Sequence, residues 1–202
     1  MFLVTDFNNI INFKIEILFT TLLITTLNTT LHTKYIMNLF ILSFNQQHIA
    51  EYMFDSHIVK IILEAVQMLC SAKLLIDPND PDNHILYKPS HINHPVSIWV
   101  RTSYENYVWT LILVYRMHEE WRYRFGHPKT KTHKSFLVAR HLVTRIPPKH
   151  SFEYQGLTPF AQAMPIDYKN ECPVRAYQLY YMSESKRRLA KWTKRDKPDW
   201  FE

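Results

Sequence analysis

The 202-residue chain is predicted to be all-α, a compact single-domain helical bundle joined by irregular, proline-containing loops. Three observations predict it. Apolar residues recur at helical spacing over long stretches, while the alternation that marks strands is nearly absent. Only Gly126 and Gly156 interrupt the chain as glycines, where average usage would give about 14. Prolines 78, 81, 147, 148, 159 and 165 sit between the periodic stretches rather than inside them, as loop punctuation. With 47% hydrophobic and 14% aromatic residues, the chain has material for one good core.

Residues 1–36 differ in composition from the rest of the chain. They are rich in Ile, Leu, Thr, Asn and Phe, and only Asp6, Lys14, Glu16 and Lys34 are charged. The apolar run from Ile15 to Leu27 carries Glu16 and four threonines and falls short of the roughly 20 residues of a membrane span. A basic leader and a small-residue cleavage site are also missing, which argues against a signal peptide. The expectation is an extension outside the folded domain of residues 37–202, either poorly structured or upstream of a true initiator at Met37. A membrane-associating leader is the competing reading.

After Met37 the elements come in order. Asn38-Leu39-Phe40-Ile41-Leu42-Ser43 is a short extended apolar segment. Asn45 is placed to cap a helix from Gln46 that breaks near Asp55, and Asp55 to cap the next. That helix, about 55–75, is apolar nearly all round. Ile58, Val59, Ile61, Ile62, Leu63, Val66, Met68 and Leu69 surround one polar line of His57, Lys60, Glu64 and Gln67, spaced i, i+3, i+7 and i+10. Pro78 and Pro81 then make a loop. A second long helix runs from Pro95 to about Phe125, closed by Gly126 as a left-handed cap. A third covers about 134–143, and a last runs from about Pro173 to Trp192.

Composition narrows the function. Lone glycines exclude the glycine-rich loops that cradle nucleotide phosphates. Two cysteines, Cys70 and Cys172, are too few for a disulfide framework or a zinc cluster, so the default compartment is reducing. The net charge of +6 is unevenly spread. Arg116 to His150 carries nine Lys/Arg against Glu119 and Glu120, and the tail from Ser183 carries seven against four. Clustered basic residues with aromatics between them suit a polyanion such as DNA, duplex or single-stranded, or RNA, because phosphate contacts release counterions. A merely solvated surface is the alternative.

Chemistry is expected first on the polar line. Glu64, His57 and Lys60 place a carboxylate, an imidazole and an ammonium within reach of one pocket. Burial would raise the carboxylate's pKa and neighbouring cations would lower it, as general acid/base catalysis requires. The same pattern also fits buried polar groups that simply satisfy one another. His91, Asn93 and His94 precede the helix at Pro95, where an anion would be favoured; local capping is the competing role. No third ligand at a metal-binding spacing accompanies His91 and His94, so no metal or other cofactor is expected. Ser103 and Asn106, among Trp99 and Tyr107, are candidates to contact a base edge, against ordinary core packing. Arg122, Arg124, Lys129, Lys131, His133 and Lys134 are the candidates for phosphate contact. Gln162 lies in a loop too apolar for simple exposure and is a candidate pocket contact.

Several of these features share an order with a known family. Asp55-x-His57, with Glu64 seven residues past the histidine and an Asn-Leu segment upstream, resembles the pyrimidine-dimer DNA glycosylases of the phage endonuclease V type. Asn93-His94-Pro95 ahead of an aromatic helix ending in Arg124-Phe125-Gly126 looks like the corresponding part of their wider relatives. The tail Lys197-Pro198-Asp199-Trp200-Phe201 is similar to the phage enzyme's aromatic end. The region after Met37 also resembles a set of viral and phage proteins. The resemblance implies a compact all-α enzyme that flips a nucleotide from the duplex. Its N-terminal α-amine attacks the sugar C1′, and a glutamate assists base loss and strand cleavage without a cofactor. By resemblance Glu64 is that glutamate and His57 a pocket residue. The implied protein is an intracellular DNA-repair monomer, in host cytoplasm or nucleus or in the virion if viral. The family's small N-terminal nucleophile has no counterpart here, and Leu63 stands where the phage enzyme has arginine. Lys60 is the candidate substitute. A non-catalytic nucleic-acid-binding protein is the alternative from a different class.

Overall fold

The computed structural model describes residues 37–202, so the expectations for residues 1–36 lie outside the described residues. Seven α-helices and three short 3-10 turns occur among them, without a strand. The helices are α1 (Gln46–Tyr52), α2 (Asp55–Ile76), α3 (Pro95–Thr102), α4 (Tyr104–Arg124), α5 (Lys134–Thr144), α6 (Pro173–Tyr181) and α7 (Glu184–Arg187). The all-α expectation holds. No helix of the described residues is long and apolar enough to cross a membrane.

Helix α2 is central, packed on α3, α4 and α5. Ile58, Ile61, Ile62, Ala65, Val66, Met68 and Leu69 are sealed from solvent along it. The surrounding apolar coat is not complete, however: Val59 and Leu63 are 42% and 38% exposed. With Ser56 and Lys60 they form an outward stripe at helical spacing. The polar line is therefore split, because Lys60 faces out while His57 and Glu64 are buried under the extended strap 37–42.

Caps explain most boundaries. Asn45 accepts from the amides of Gln47 and His48 and starts α1. At the start of α2 the cap position is Phe54, without a side-chain cap bond, and the Asp55 carboxylate is engaged elsewhere. The single helix expected from Pro95 to Phe125 is two helices. Ser103 lies between them in extended backbone (φ −138°, ψ 157°). The carbonyl of neighbouring Thr102 accepts from the Tyr154 amide at 3.0 Å, and the Ser103 hydroxyl accepts from the Asn106 amide at 3.1 Å. A hydroxyl able to cap α4 lets the chain turn there. Gly126, at φ +63°, comes just after the end of α4 as expected of a left-handed cap.

The expected helix from Pro173 to Trp192 also stops early, at Tyr181, with α7 a separate single turn. The reason is where the tail must go. Trp192 Nε1 donates to the Tyr52 carbonyl at 2.9 Å, and the Lys191 carbonyl accepts from the Asp55 amide at 2.9 Å. Those anchors draw the chain back over the α1–α2 junction.

Candidate functional site

The buried strap is what builds the site. Asn38 Oδ1 accepts from the amides of Leu39 (2.9 Å) and Phe40 (3.4 Å), a tight side-chain turn that holds Phe40 at φ +47°. The Asn38 amide Nδ2 donates to the Ala163 carbonyl at 2.7 Å, tying the strap to the proline-containing loop. This geometry aims the Asn38 backbone N–H at Glu64, with 3.2 Å to Oε2. Lys60 Nζ lies 3.2 Å from the other carboxylate oxygen, one helical turn earlier. Burial pushes the Glu64 carboxyl above its ordinary range, and Lys60, the Asn38 amide and the charge of Lys186 partly oppose it.

His57, two turns before Glu64, stacks on Phe40 at 4.7 Å with 12° between ring planes. Its Nδ1 lies 2.5 Å from the Tyr181 hydroxyl. Burial, then the charges of Lys186 and Lys60, push its pKa down to about 3, so the ring is neutral at pH 7. A neutral imidazole with one nitrogen engaged is a positioning group rather than a charge carrier. Lys186, on α7, places Nζ 5.1 Å from the Phe40 ring centre and 5.3 Å from that of Tyr180.

The three residues expected to be catalytic, His57, Lys60 and Glu64, are thus brought to one cluster. The sequence reading missed Asn38, Phe40, Tyr181 and Lys186. Lys186 was legible only as part of the basic tail, because nothing local ties residue 186 to residue 64.

Several expected contacts are used up inside the fold. Arg124 is 1% exposed, and its guanidinium makes five hydrogen bonds, to Glu120, Asp55 and the carbonyls of Met53, Ala50 and Glu51. It cannot reach a phosphate. Ser103 is the α4 cap described above. Asn106 is sealed and donates to the Trp99 carbonyl and Thr158 Oγ1, each at 2.7 Å, while its Oδ1 accepts from the Thr158 amide at 3.0 Å. Both amide donors are taken and the side chain is sealed, so it is not presented to a base edge. His94 Nδ1 accepts from the Val96 amide at 3.3 Å as the α3 cap, and His133 Nδ1 accepts from Ser135 at 3.3 Å as the α5 cap. Gln162 is bonded both ways to the Asn170 backbone, at 2.6 and 3.1 Å.

Others remain at the surface. His91 and Asn93 are exposed in the loop before α3. Arg122 is half-buried and donates to the Lys129 carbonyl at 3.1 Å. Lys129, Lys131 and Lys134 are exposed and form no ion pair with the described residues. Among the described residues no group of three or more His, Cys, Asp or Glu is arranged to hold a metal.

Clefts among the described residues include three of about 500, 660 and 430 Å3. The second and third have Gln162 in their walls and the first lies between α4 and the end of α5; His57, Lys60 and Glu64 line none of the three. Compared with family models, curated proteins and solved structures, the chain finds no match.

Proposed function

We propose that the protein is a DNA-processing enzyme with glycosylase and abasic-site lyase chemistry at Glu64. The observation that carries this reading is a carboxylate 5% exposed, contacted by a backbone N–H and an ammonium on its two oxygens, with a second lysine acting on it through space. Burial makes such a carboxylate more basic than one in water, and the cations partly oppose its protonation. It can stabilise positive charge developing at a sugar C1′ and then accept a C2′ proton. His57 supports the strap rather than moving a proton. DNA would be held by Lys129, Lys131 and Lys134, with Arg122 beside them, which makes affinity fall steeply with salt. Repair of DNA inside a cell, host or viral, is the setting that fits this chemistry.

In the enzymes that the sequence resembles, an N-terminal amine is the nucleophile. Here the nitrogen facing Glu64 belongs to the Asn38 peptide, and an amide lone pair is delocalised into its carbonyl. An amine must therefore come from elsewhere.

Glu64→Gln tests the reading. The variant should bind duplex DNA as the parent does, and cleave at an abasic site slower by about 10²–10⁴-fold. Full cleavage by Glu64→Gln would refute a catalytic Glu64. The second reading, a non-catalytic nucleic-acid-binding protein, is favoured by one observation: His57, Lys60 and Glu64 line none of these three clefts. Salt-sensitive DNA binding by the parent protein, without base release or nicking, would establish it.

A further inference from the structure

Three nitrogens approach the Glu64 cluster, and they differ in what they can do. The Asn38 nitrogen is an amide that donates its only hydrogen to Oε2. Lys60 Nζ is committed to Glu64 at 3.2 Å on a side chain that is 60% exposed. Lys186 makes no ion pair with any described carboxylate, and its Nζ sits against the faces of Phe40 and Tyr180 instead.

The placement of Lys186 stems from the same element that completes the His57 site. Tyr181, the last residue of α6, holds the imidazole, and the Ser183 carbonyl then accepts from the amides of Lys186 (3.0 Å) and Arg187 (2.8 Å) to form the α7 turn. The lysine is thereby folded back over the strap. Phe40 links the two sites, with His57 stacked 4.7 Å away and Nζ of Lys186 at 5.1 Å. The charge of Lys186 acts on both His57 and Glu64, while the residue keeps partial solvent access.

We propose that Lys186 is the nucleophilic amine of the site and that it takes the C1′ aldehyde of an abasic deoxyribose, with Glu64 as the base for the subsequent elimination. This rests on the lyase reading above. Burial, and after it the Lys60 charge, lowers the Lys186 pKa, with Glu64 opposing, so the free base is more accessible than for a solvated lysine. The steps balance without a further reagent. The Nζ lone pair adds to C1′, and the carbinolamine loses water to give a protonated Schiff base. The Glu64 carboxylate removes a C2′ proton, the electron pair moves toward the iminium, and the C3′–O bond breaks with the 3′ phosphate as leaving group. Hydrolysis of the imine then frees Lys186.

The test uses the full 202-residue chain and a duplex oligonucleotide carrying one abasic site, with sodium borohydride to reduce the imine to a stable amine. Digestion and mass spectrometry of the trapped parent protein should place the adduct on Lys186. Lys186→Arg, which keeps the charge, should reduce trapping by about a hundredfold or more. An adduct on Lys60 or on an α-amine, with Lys186→Arg still trapping, would overturn the assignment to Lys186 and leave the lyase reading standing. Absence of any adduct with the parent protein would overturn both. Because the mapping is made on the parent chain, the result does not depend on a variant that folds.

Discussion

Two of the buried charged clusters to which helix α2 contributes are built in opposite ways. At the start of α2, Asp55 and Glu120 face Arg124 and Arg195. Glu120 accepts from Arg124 Nε at 2.6 Å and from Arg195 at 3.0 and 2.8 Å, while Asp55 accepts from Thr193 at 2.9 and 2.7 Å and from Arg124 at 3.2 Å. Burial would raise the Asp55 pKa, but Thr193 and Arg124 more than offset it and hold the carboxyl low. Nine residues further along α2, about 14 Å of helix rise, Glu64 stands against Lys60 and Lys186, and its pKa is raised by burial despite them. The Arg124 guanidinium, with five hydrogen bonds made, and Arg195, paired with Glu120 and Glu51, lock a junction of four chain segments. A carboxylate whose burial outweighs its partners is held in a state from which it can accept a proton. Burial alone does not separate the two clusters; the completeness of the hydrogen bonding does.

The comparison breaks most visibly at Arg124. Arg124→Met should cost about 3–5 kcal/mol, because it leaves Glu120 and Asp55 buried with fewer partners. Urea denaturation monitored by circular dichroism measures it, and a loss below about 1 kcal/mol would place the clamp among dispensable ion pairs.

Acid should act on the His57 side next. His57 has its pKa lowered from 6.5 to about 3, and His118, buried against Phe136, is lowered to about 4. Below pH 6.5 the unfolded chain takes protons that these rings refuse. Their contribution is therefore complete above pH 6.5 and is lost as pH falls toward 4 and then 3. The urea midpoint should fall across that window, and His57→Gln should flatten the fall; an unchanged slope would mean that His57 is not buried neutral in solution.

Glu64 has the opposite sign. Its raised pKa gives a contribution that is present below 4.5 and lost as pH rises through the folded value. Glu64→Gln should therefore keep or slightly raise stability at pH 7, in contrast to Arg124→Met, even as it slows the proposed cleavage. A large destabilisation by Glu64→Gln would make the second cluster structural like the first. The smallest effect is expected at Ser103→Ala, about 1 kcal/mol for the lost cap of α4, with DNA binding unchanged, since its hydroxyl contacts the Asn106 amide and not a ligand.

The sequence by itself determined the helices beginning near residues 46, 55 and 134, the Asn45 cap, the break near Asp55, the Gly126 turn after α4, and the shared spacing of His57, Lys60 and Glu64, because all of these arise from spacings of three to seven residues; the turn at Ser103 and the stop at Tyr181 it did not. It also marked Ser103 and Arg124 as functional candidates, correctly singled out as polar groups among aromatics but with the wrong destination. Whether a serine turns a helix or meets a ligand depended on Tyr154, and whether an arginine meets phosphate depended on Glu120, Asp55 and three carbonyls up to 74 residues away. Only the tertiary structure decided that the strap would close over Glu64, that Asn38 would present its amide there, and that Lys186 would fold back beside Phe40. Local periodicity fixes which way a side chain leaves its own helix, whereas burial, desolvation and the partners of a charge are set by segments that meet only when the core closes.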